Sequence, residues 1–439
     1  MVKILVSLLM RCTDMDIKIL EGDCRVLIKG LANDSIDSIV TDPPYALVSI
    51  IKRFGSPNAA PAKGNEAYMR ASTGFMGKTW DTGETAMSAE FWVECCRVLK
   101  PGGHVGAFGA SRGYHRMACA IEDAGFEIRD SLMWVYGSGF PKSHNVSLSI
   151  DKAAGAVGHL AKLFNMKGSG DRADEFTENG RDFSIRHEPA TSEAQEWEGW
   201  GTALKPAFEP IVLARKPLSE GTVATNVLRW RTGALNIGAC RVGTTENLNG
   251  GCHSPNAKPR AMAPGGAARN VTADEFVQPE GRWPANVVHD GSDEVVGAFP
   301  STKNGVAGKR NAANGDVMKT GLGATDEQWG GYGTAGASES AARFFYSAKA
   351  SKADRAGSKH PTVKPIALMQ WLARLSTPPG GTVLDPVAGS GTTGAACALE
   401  GFNVILCERE AEYIADIKRR LNLPTAMPWE SAPIDFPWL

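Results

Sequence analysis

Residues 382–408 carry the tightest constraint in the chain: a short apolar run, a glycine-rich turn, a run of small residues and a second apolar run. Residues 382–384 read as a strand and Asp385-Pro386-Val387-Ala388-Gly389-Ser390-Gly391-Thr392-Thr393-Gly394 as the turn. Residues 392–400 read as a helix closed by Gly401, and 403–407 as the next strand. Glycines let the backbone turn sharply and approach a ligand closely. The helix start behind them offers unpaired N–H groups and positive potential to a carboxylate or phosphate. Gly389, Gly391 and Gly394 also spell GxGxxG, and Glu408 ends the second strand, where an acid can accept from ribose hydroxyls. A dinucleotide site therefore competes for this stretch.

The same alternation recurs upstream. Residues 17–20, 35–40, 104–108 and 126–136 read as strands, and 87–99 and 114–123 as helices, with Lys100-Pro101-Gly102-Gly103 as a break. Further on, 364–375 and 412–421 read as helices, Pro365 lying near the first helical position. Such a pattern predicts an α/β fold built on a parallel sheet with crossover helices. From 137 to 342 the pattern fails: the segment is rich in Gly, Asn, Ser and Pro, with Trp197, Trp200, Trp230, Trp283 and Trp329, and only 209–214 and 226–230 suggest strands. About 200 residues exceed any ordinary loop, which predicts an inserted domain. The resulting division is 15–140, 141–342 and 343–424, with a tail at 425–439 and a leader at 1–14 that has no role in the fold. Residues 46–87 form a smaller excursion.

Composition excludes several classes. At 43% hydrophobic and 22% charged, the chain is too apolar for wholesale disorder, and no run approaches the roughly 20 apolar residues that span a bilayer. The nine cysteines include no CxxC pair, which fits reduced thiols in a cytosol. Cys240, Cys252, His253 and His289 have only loose spacing in favour of a metal, and none is expected. Net charge is −1, so nothing global advertises nucleic acid. Locally, Arg343, Lys349, Lys352, Arg355, Lys359 and Lys364 face the single acid Asp354, a stripe that either meets phosphates or is a solvated face.

A second motif is Asp42-Pro43-Pro44-Tyr45, at the end of the strand 35–40. Consecutive prolines forbid helix and stiffen the turn, so the carboxylate projects rigidly from the strand end. The amino group of a purine or pyrimidine is a poor nucleophile because its lone pair is conjugated with the ring. Asp42 and the Pro43 carbonyl can accept its two hydrogens and free that lone pair, while Tyr45 stacks on the base. In an open α/β sheet ligands bind beyond the carboxyl ends of strands. Both motifs end strands, so both would line one crevice.

These residues, with His360-Pro361-Thr362-Val363-Lys364-Pro365 just ahead of the glycine turn, resemble the amino-methylating (N6-adenine/N4-cytosine) DNA methyltransferases, in the β-group order of acceptor motif before donor motif. The likeness covers roughly 17–140 and 343–422. It implies a Rossmann-like, circularly permuted methyltransferase sheet with an inserted target-recognition domain, S-adenosylmethionine as methyl donor, and methylation of adenine N6 in duplex DNA by base flipping. It implies further that Asp385, Gly389, Ser390, Gly391 and Thr392 surround the donor, that His360, Thr362 and Lys364 close its pocket, that Glu408 holds the ribose, and that Asp23 lies near the donor adenine. Trp134 stands where relatives place an aromatic beside the flipped base, and reads equally as a core residue. Double-stranded DNA is the implied partner, the setting is cytoplasmic with no membrane, and homodimers are common in the family. This chain departs in Val387, where phenylalanine is usual, and in its long recognition region.

N4-cytosine methylation uses the same chemistry and stays open, though aspartate at 42 favours adenine. C5-cytosine methylation needs a cysteine nucleophile, usually after proline, and no Pro-Cys dipeptide exists. An NAD-dependent dehydrogenase would leave Asp42 to Tyr45 idle, and a non-catalytic DNA-binding protein would not need that tetrapeptide intact.

Overall fold

The computed structural model describes residues 15–45, 62–63, 66–70, 85–139, 143–156, 159–162, 185–245, 248, 279–303, 338–348, 352–358, 360 and 362–423. They fall into two compact units, one formed by 1–137 with 208–439 and the other by 138–207.

The larger unit is built on a nine-stranded sheet. Its strands are β1 (Ile17–Glu21), β2 (Ile36–Thr41), β3 (Leu99–Phe108), β4 (Glu127–Val135), β5 (Phe208–Arg215), β6 (Val287–His289), β7 (Tyr346–Ser347), β8 (Thr382–Asp385) and β9 (Asn403–Glu408). Their order is β1-β9-β8-β2-β3-β5-β4-β6-β7. Every neighbouring pair is parallel except the two involving β5, which runs against both β3 and β4. All six residues of β2 are buried, as expected of a central strand covered on both faces.

Six helices matter for the site: α1 (Ala89–Val98), α2 (Tyr114–Asp123), α3 (Val223–Trp230), α4 (Ile366–Ser376), α5 (Thr392–Glu400) and α6 (Ala411–Arg420). Ser88 caps α1 by accepting from the Phe91 amide, and Phe91, Trp92, Cys95 and Val98 recur on its inner face. They pack with Met117 and Ile121 of α2 on one side of the sheet. On the other side Leu368, Trp371 and Leu372 of α4 join Ala396, Cys397 and Ile417. The small residues of α5 let it lie close to β9: a Cβ on Gly394 would stand 2.7 Å from Leu406 Cδ1.

Three expectations change. Residues 226–230 are helical, not extended: Thr222 and Thr225 form a capping box and Arg231 ends α3 in the left-handed region at φ 65°. The cap outweighs the β-favouring Val227 and Trp230. The helix expected at 87–99 does stop at Val98, but Lys100 to Gly103, read as the break after it, lie within β3, where the Gly102 amide donates to the Lys216 carbonyl at 3.0 Å. A Cβ on Gly102 (φ +84°) would stand 2.6 Å from Asn226 Nδ2, so glycine there allows close approach rather than a turn. Finally, the region 141–342 is divided: β5 and β6 belong to the main sheet, because the apolar run of 210–214 is buried between two strands.

In the smaller unit, Asn145 caps a helix at Val146–Ala153. The buried carboxylate of Asp151 accepts from the Ala190 amide and from the amide and hydroxyl of Thr191. Trp197 and Trp200 meet edge to face at 4.9 Å.

Candidate active site

β2 and β8 are parallel neighbours whose chains depart in opposite directions, β8 through α5 to β9 and β2 through α1 to β3. That divergence opens a crevice at their carboxyl ends, the usual ligand position in such sheets. Both sequence motifs start there. The Thr41 hydroxyl donates to Asp385 Oδ1 at 2.8 Å, the Thr393 hydroxyl to Oδ2 at 2.5 Å and the Val387 amide to Oδ1 at 3.2 Å. Burial drives the Asp385 carboxyl up to about 6 while these donors oppose the rise. Asp385, expected beside the donor, is thus the joint between the strand end carrying Asp42 and the glycine turn.

Within that turn Gly389 (φ +52°) and Gly391 (φ +78°) are left-handed, which L side chains adopt only with strain. A Cβ on Gly389 would stand 3.0 Å from His360 Nε2, so the bare backbone faces that ring. A Cβ on Gly391 would instead meet Ile417 Cγ1 at 2.8 Å, so Gly391 serves the packing of α6. Ser390 and Thr392 are buried with their hydroxyls 3.2 Å apart. Glu408 Oε2 accepts from the Gly389 amide at 2.8 Å, and its Oε1 from the amides of Arg409 and Glu410, each at 2.8 Å. Burial raises the Glu408 pKa and these amides draw it partly back. Asp23 stands two residues beyond β1 beside that strand end and is held by Arg25, whose side-chain hydrogen bond lowers its pKa.

The segment before α4 is strapped to α6. Ser358 donates to Asp416 Oδ2 at 2.5 Å, and Arg420 donates to the carbonyls of Asp354 at 2.7 Å and Ser390 at 2.9 Å. His360 meets Tyr413 edge to face at 4.5 Å, and its Nδ1 lies 2.6 Å from the Thr362 carbonyl oxygen. Burial lowers its pKa, which keeps the ring neutral near pH 7. Of the basic stripe read from the sequence, Arg355 is exposed, and the side chain of Lys352 lies outside the described residues. Lys349 and Lys359 lie outside the described residues, Arg343 packs over Phe344 and donates to Thr302, and Lys364 is inside.

Lys364 is the centre of a cluster that links the Asp42–Tyr45 motif to Glu209 of β5. Only 6% exposed, its ammonium lies 2.8 Å from Asp42 Oδ2 and 2.9 Å from Glu209 Oε2, and donates to the Tyr45 oxygen at 3.1 Å. Burial pulls its pKa down, but the two carboxylates outweigh that and hold it above the ordinary lysine range. The Tyr45 hydroxyl is within 2.7 Å of Asp42 Oδ1 and 3.0 Å of Glu209 Oε2. Burial, with both acids, pushes its pKa well up. Pro43 is buried and Pro44 half-buried, so the turn carrying these groups is packed in place. Lys364, expected to close the donor pocket, is therefore bonded to Asp42, Tyr45 and Glu209.

Trp134 on β4 is opposite Glu209 in register, 9% exposed, and tilted against Tyr136 at 5.0 Å. It belongs to the core, yet its indole N–H is buried without a hydrogen-bond partner. Glu209, Tyr136, Thr41 and Arg420 are site residues that the motifs do not reveal. The strand 209–214 is visible in the sequence, but nothing local shows that it runs backwards and so brings its first residues to the carboxyl edge. Among the described residues no three His, Cys, Asp or Glu side chains gather as a metal site.

The sequence model of the N6/N4 DNA methylase family matches residues 36–419, and the chain belongs to that family. Type II methyltransferase M.HindIII of Haemophilus influenzae is 27% identical over 233 residues, 50% of this chain and 64% of that protein. Type II methyltransferase M2.MboI of Moraxella bovis is 44% identical over 64 residues, 15% of this chain and 23% of that one. The chain thus spans less than two thirds of the length of either curated relative. The crystal structure of the M1.HpyAVI–SAM complex aligns at 17% identity and a TM-score of 0.36, covering 93% of this chain and all of that one, a superposition too loose to carry weight.

Proposed function

We propose that this chain is a DNA methyltransferase that takes methyl groups from S-adenosylmethionine and places them on adenine N6 in duplex DNA. The observation that carries the reading is the Thr41–Asp385 hydrogen bond, which sets the Asp42 carboxylate and the glycine turn on one edge of one crevice. Family membership and two relatives named as type II methyltransferases support DNA as substrate and a restriction-modification setting.

The residues present suit the donor. Residues 389–392 form a turn whose bare backbone at 389 faces His360, where a Cβ would stand 3.0 Å from the ring, with the N-terminus of α5 behind it. Gly389 to Thr392, with His360 and Thr362, would hold the methionine end, and Glu408 with Asp23 the adenosine end. When bound, S-adenosylmethionine supplies an electrophilic methyl on a sulfonium sulfur. The chain's own part is positional. Asp42 accepts one amino hydrogen and the Pro43 carbonyl the other, which turns the nitrogen lone pair out of conjugation. Tyr45, with Trp134 and Tyr136 nearby, supplies apolar surface for the ring. Stacking on an aromatic contributes roughly 1–3 kcal/mol, against a few kcal/mol to extrude a base. Holding the groups in line and accepting their hydrogens supplies the catalysis.

Aspartate at position 42 supports adenine over cytosine, since N4-cytosine members often carry serine there. Action on DNA in a restriction-modification setting supports a cytoplasmic location. Among the described residues no helix is long and apolar enough to cross a membrane. Expression in a bacterial host free of DNA methylation, followed by nucleoside mass spectrometry, tests the reading. N6-methyladenine is expected, N4-methylcytosine would move the substrate to the other base, and unmodified DNA would end the proposal.

A further inference from the structure

Glu209 is an acid that neither motif announces, yet it completes the cluster around Asp42. It is the second residue of β5, and because that strand runs against its neighbours its first residues reach the edge where β2 and β8 end. Its Oε2 lies 2.9 Å from Lys364 Nζ and 3.0 Å from the Tyr45 hydroxyl.

Three oxygens, from Asp42, Glu209 and Tyr45, surround the Lys364 ammonium at 2.8, 2.9 and 3.1 Å. An ammonium is tetrahedral and positive. The target nitrogen approaches that same state as its lone pair bonds to the methyl carbon. In this structure Lys364 therefore occupies, on Asp42, the kind of position the reacting nitrogen needs. Two cations crowding one carboxylate in a buried site repel strongly, so Lys364 must release Asp42 as positive charge develops on the target nitrogen. A buried ammonium tolerates that only where a second anion keeps it paired.

We infer that Glu209 is a positioning residue for the methyl transfer: it retains Lys364 when the target amino group claims Asp42. This rests on the reading of Asp42 as the amino-group acceptor. It explains why one lysine is divided between two carboxylates, and why the second one comes from the reversed strand.

The test uses the full chain, labelled S-adenosylmethionine and DNA from a methylation-free host. Glu209→Gln keeps the shape and removes the charge, so Lys364 stays on Asp42. The expected result is a fall in kcat of about 10- to 100-fold, with donor affinity by calorimetry within about twofold of the parent chain. Glu209→Asp, which keeps the charge, should recover a good part of the rate. With Lys364→Met there is no ammonium to hold, so Glu209→Gln added to it should slow the reaction no further. Unchanged kcat in Glu209→Gln overturns the inference, as does a double variant in which the two losses multiply. If Glu209→Gln fails to fold, the comparison of Glu209→Asp with Glu209→Asp/Lys364→Met decides the same question. A parent chain that leaves this DNA unmethylated overturns the underlying reading of function instead.

Discussion

The hydroxyl of Thr41 donates to the carboxylate of Asp385 across 2.8 Å, so the residue immediately before Asp42 is bonded to the residue that opens the glycine turn. Neither end of the crevice can shift without the other. Thr41→Val keeps the side-chain size and removes the donor, leaving Asp385 buried with one bond fewer. Destabilisation of about 1–3 kcal/mol is expected in urea denaturation. Methyl transfer should fall by more than donor affinity, since register between the two halves is what the bond fixes. A variant with parental stability and rate would remove the joint from the account.

Asp42→Ala should abolish methyl transfer, by at least about 100-fold, while donor affinity by calorimetry stays within a few-fold. Lys364 retains Glu209 as a partner in this variant, so the fold survives. Appreciable residual incorporation of labelled methyl groups into DNA would count against Asp42 as acceptor.

Gly391→Asp tests a different mechanism from the one its sequence context suggests. A charged side chain beside a donor would block binding selectively. The Cβ, however, points at Ile417 of α6 from a backbone at φ +78°. Even Gly391→Ala should therefore lower stability by roughly 1–3 kcal/mol, visible as a lower melting temperature before any ligand is added. Unaltered melting with lost donor binding would restore the ligand-facing assignment.

Arg420 ties the glycine turn and the segment before α4 to one guanidinium, through the carbonyls of Ser390 and Asp354. Arg420→Met preserves much of the stem and removes the donors. Donor affinity should weaken about tenfold, an energy of roughly 1.4 kcal/mol, with kcat at saturating donor little changed. An unaffected dissociation constant in calorimetry would show that the strap does not shape the donor region.

His104, on β3 opposite Arg215, is buried, and burial first and then Arg215 and Arg129 push its pKa down to about 3. In the unfolded chain it titrates near 6.5. Below that pH the unfolded state takes a proton that the native state refuses, so stability falls from about pH 6.5 toward 3 and is flat in this group above. Denaturant midpoints of the parent chain and His104→Gln, compared across that window, should diverge as pH drops, the parent losing more. Parallel curves would mean that His104 is protonated in the native state.

Much of the sheet is legible in the sequence because its strands and helices carry their own signals. Residues 114–123 and 392–400 are helices with the boundaries their patterns give, and the buried strand expected at 35–40 lies one residue on, at 36–41. Non-local relations are not legible. Gly102 reads as a breaker until Asn226 is seen beside it, and Asn226 itself reads as part of a strand until the threonine cap is considered. Glu209 carries no local signature, because its place depends on strand direction. Lys364 fits a donor-side motif by its neighbours in sequence, yet a side chain that long reaches the opposite wall of the crevice.

Val135 and Phe208 are paired residues on adjacent antiparallel strands, so the backbone leaves the sheet after β4 and returns in β5 at a single point. Closing a loop grows harder only slowly with its length. Whatever is strung between those two residues is in effect an exchangeable cassette with its splice points already side by side. A lineage could swap it wholesale, and with it the surface it presents, while the register of every other strand stayed untouched.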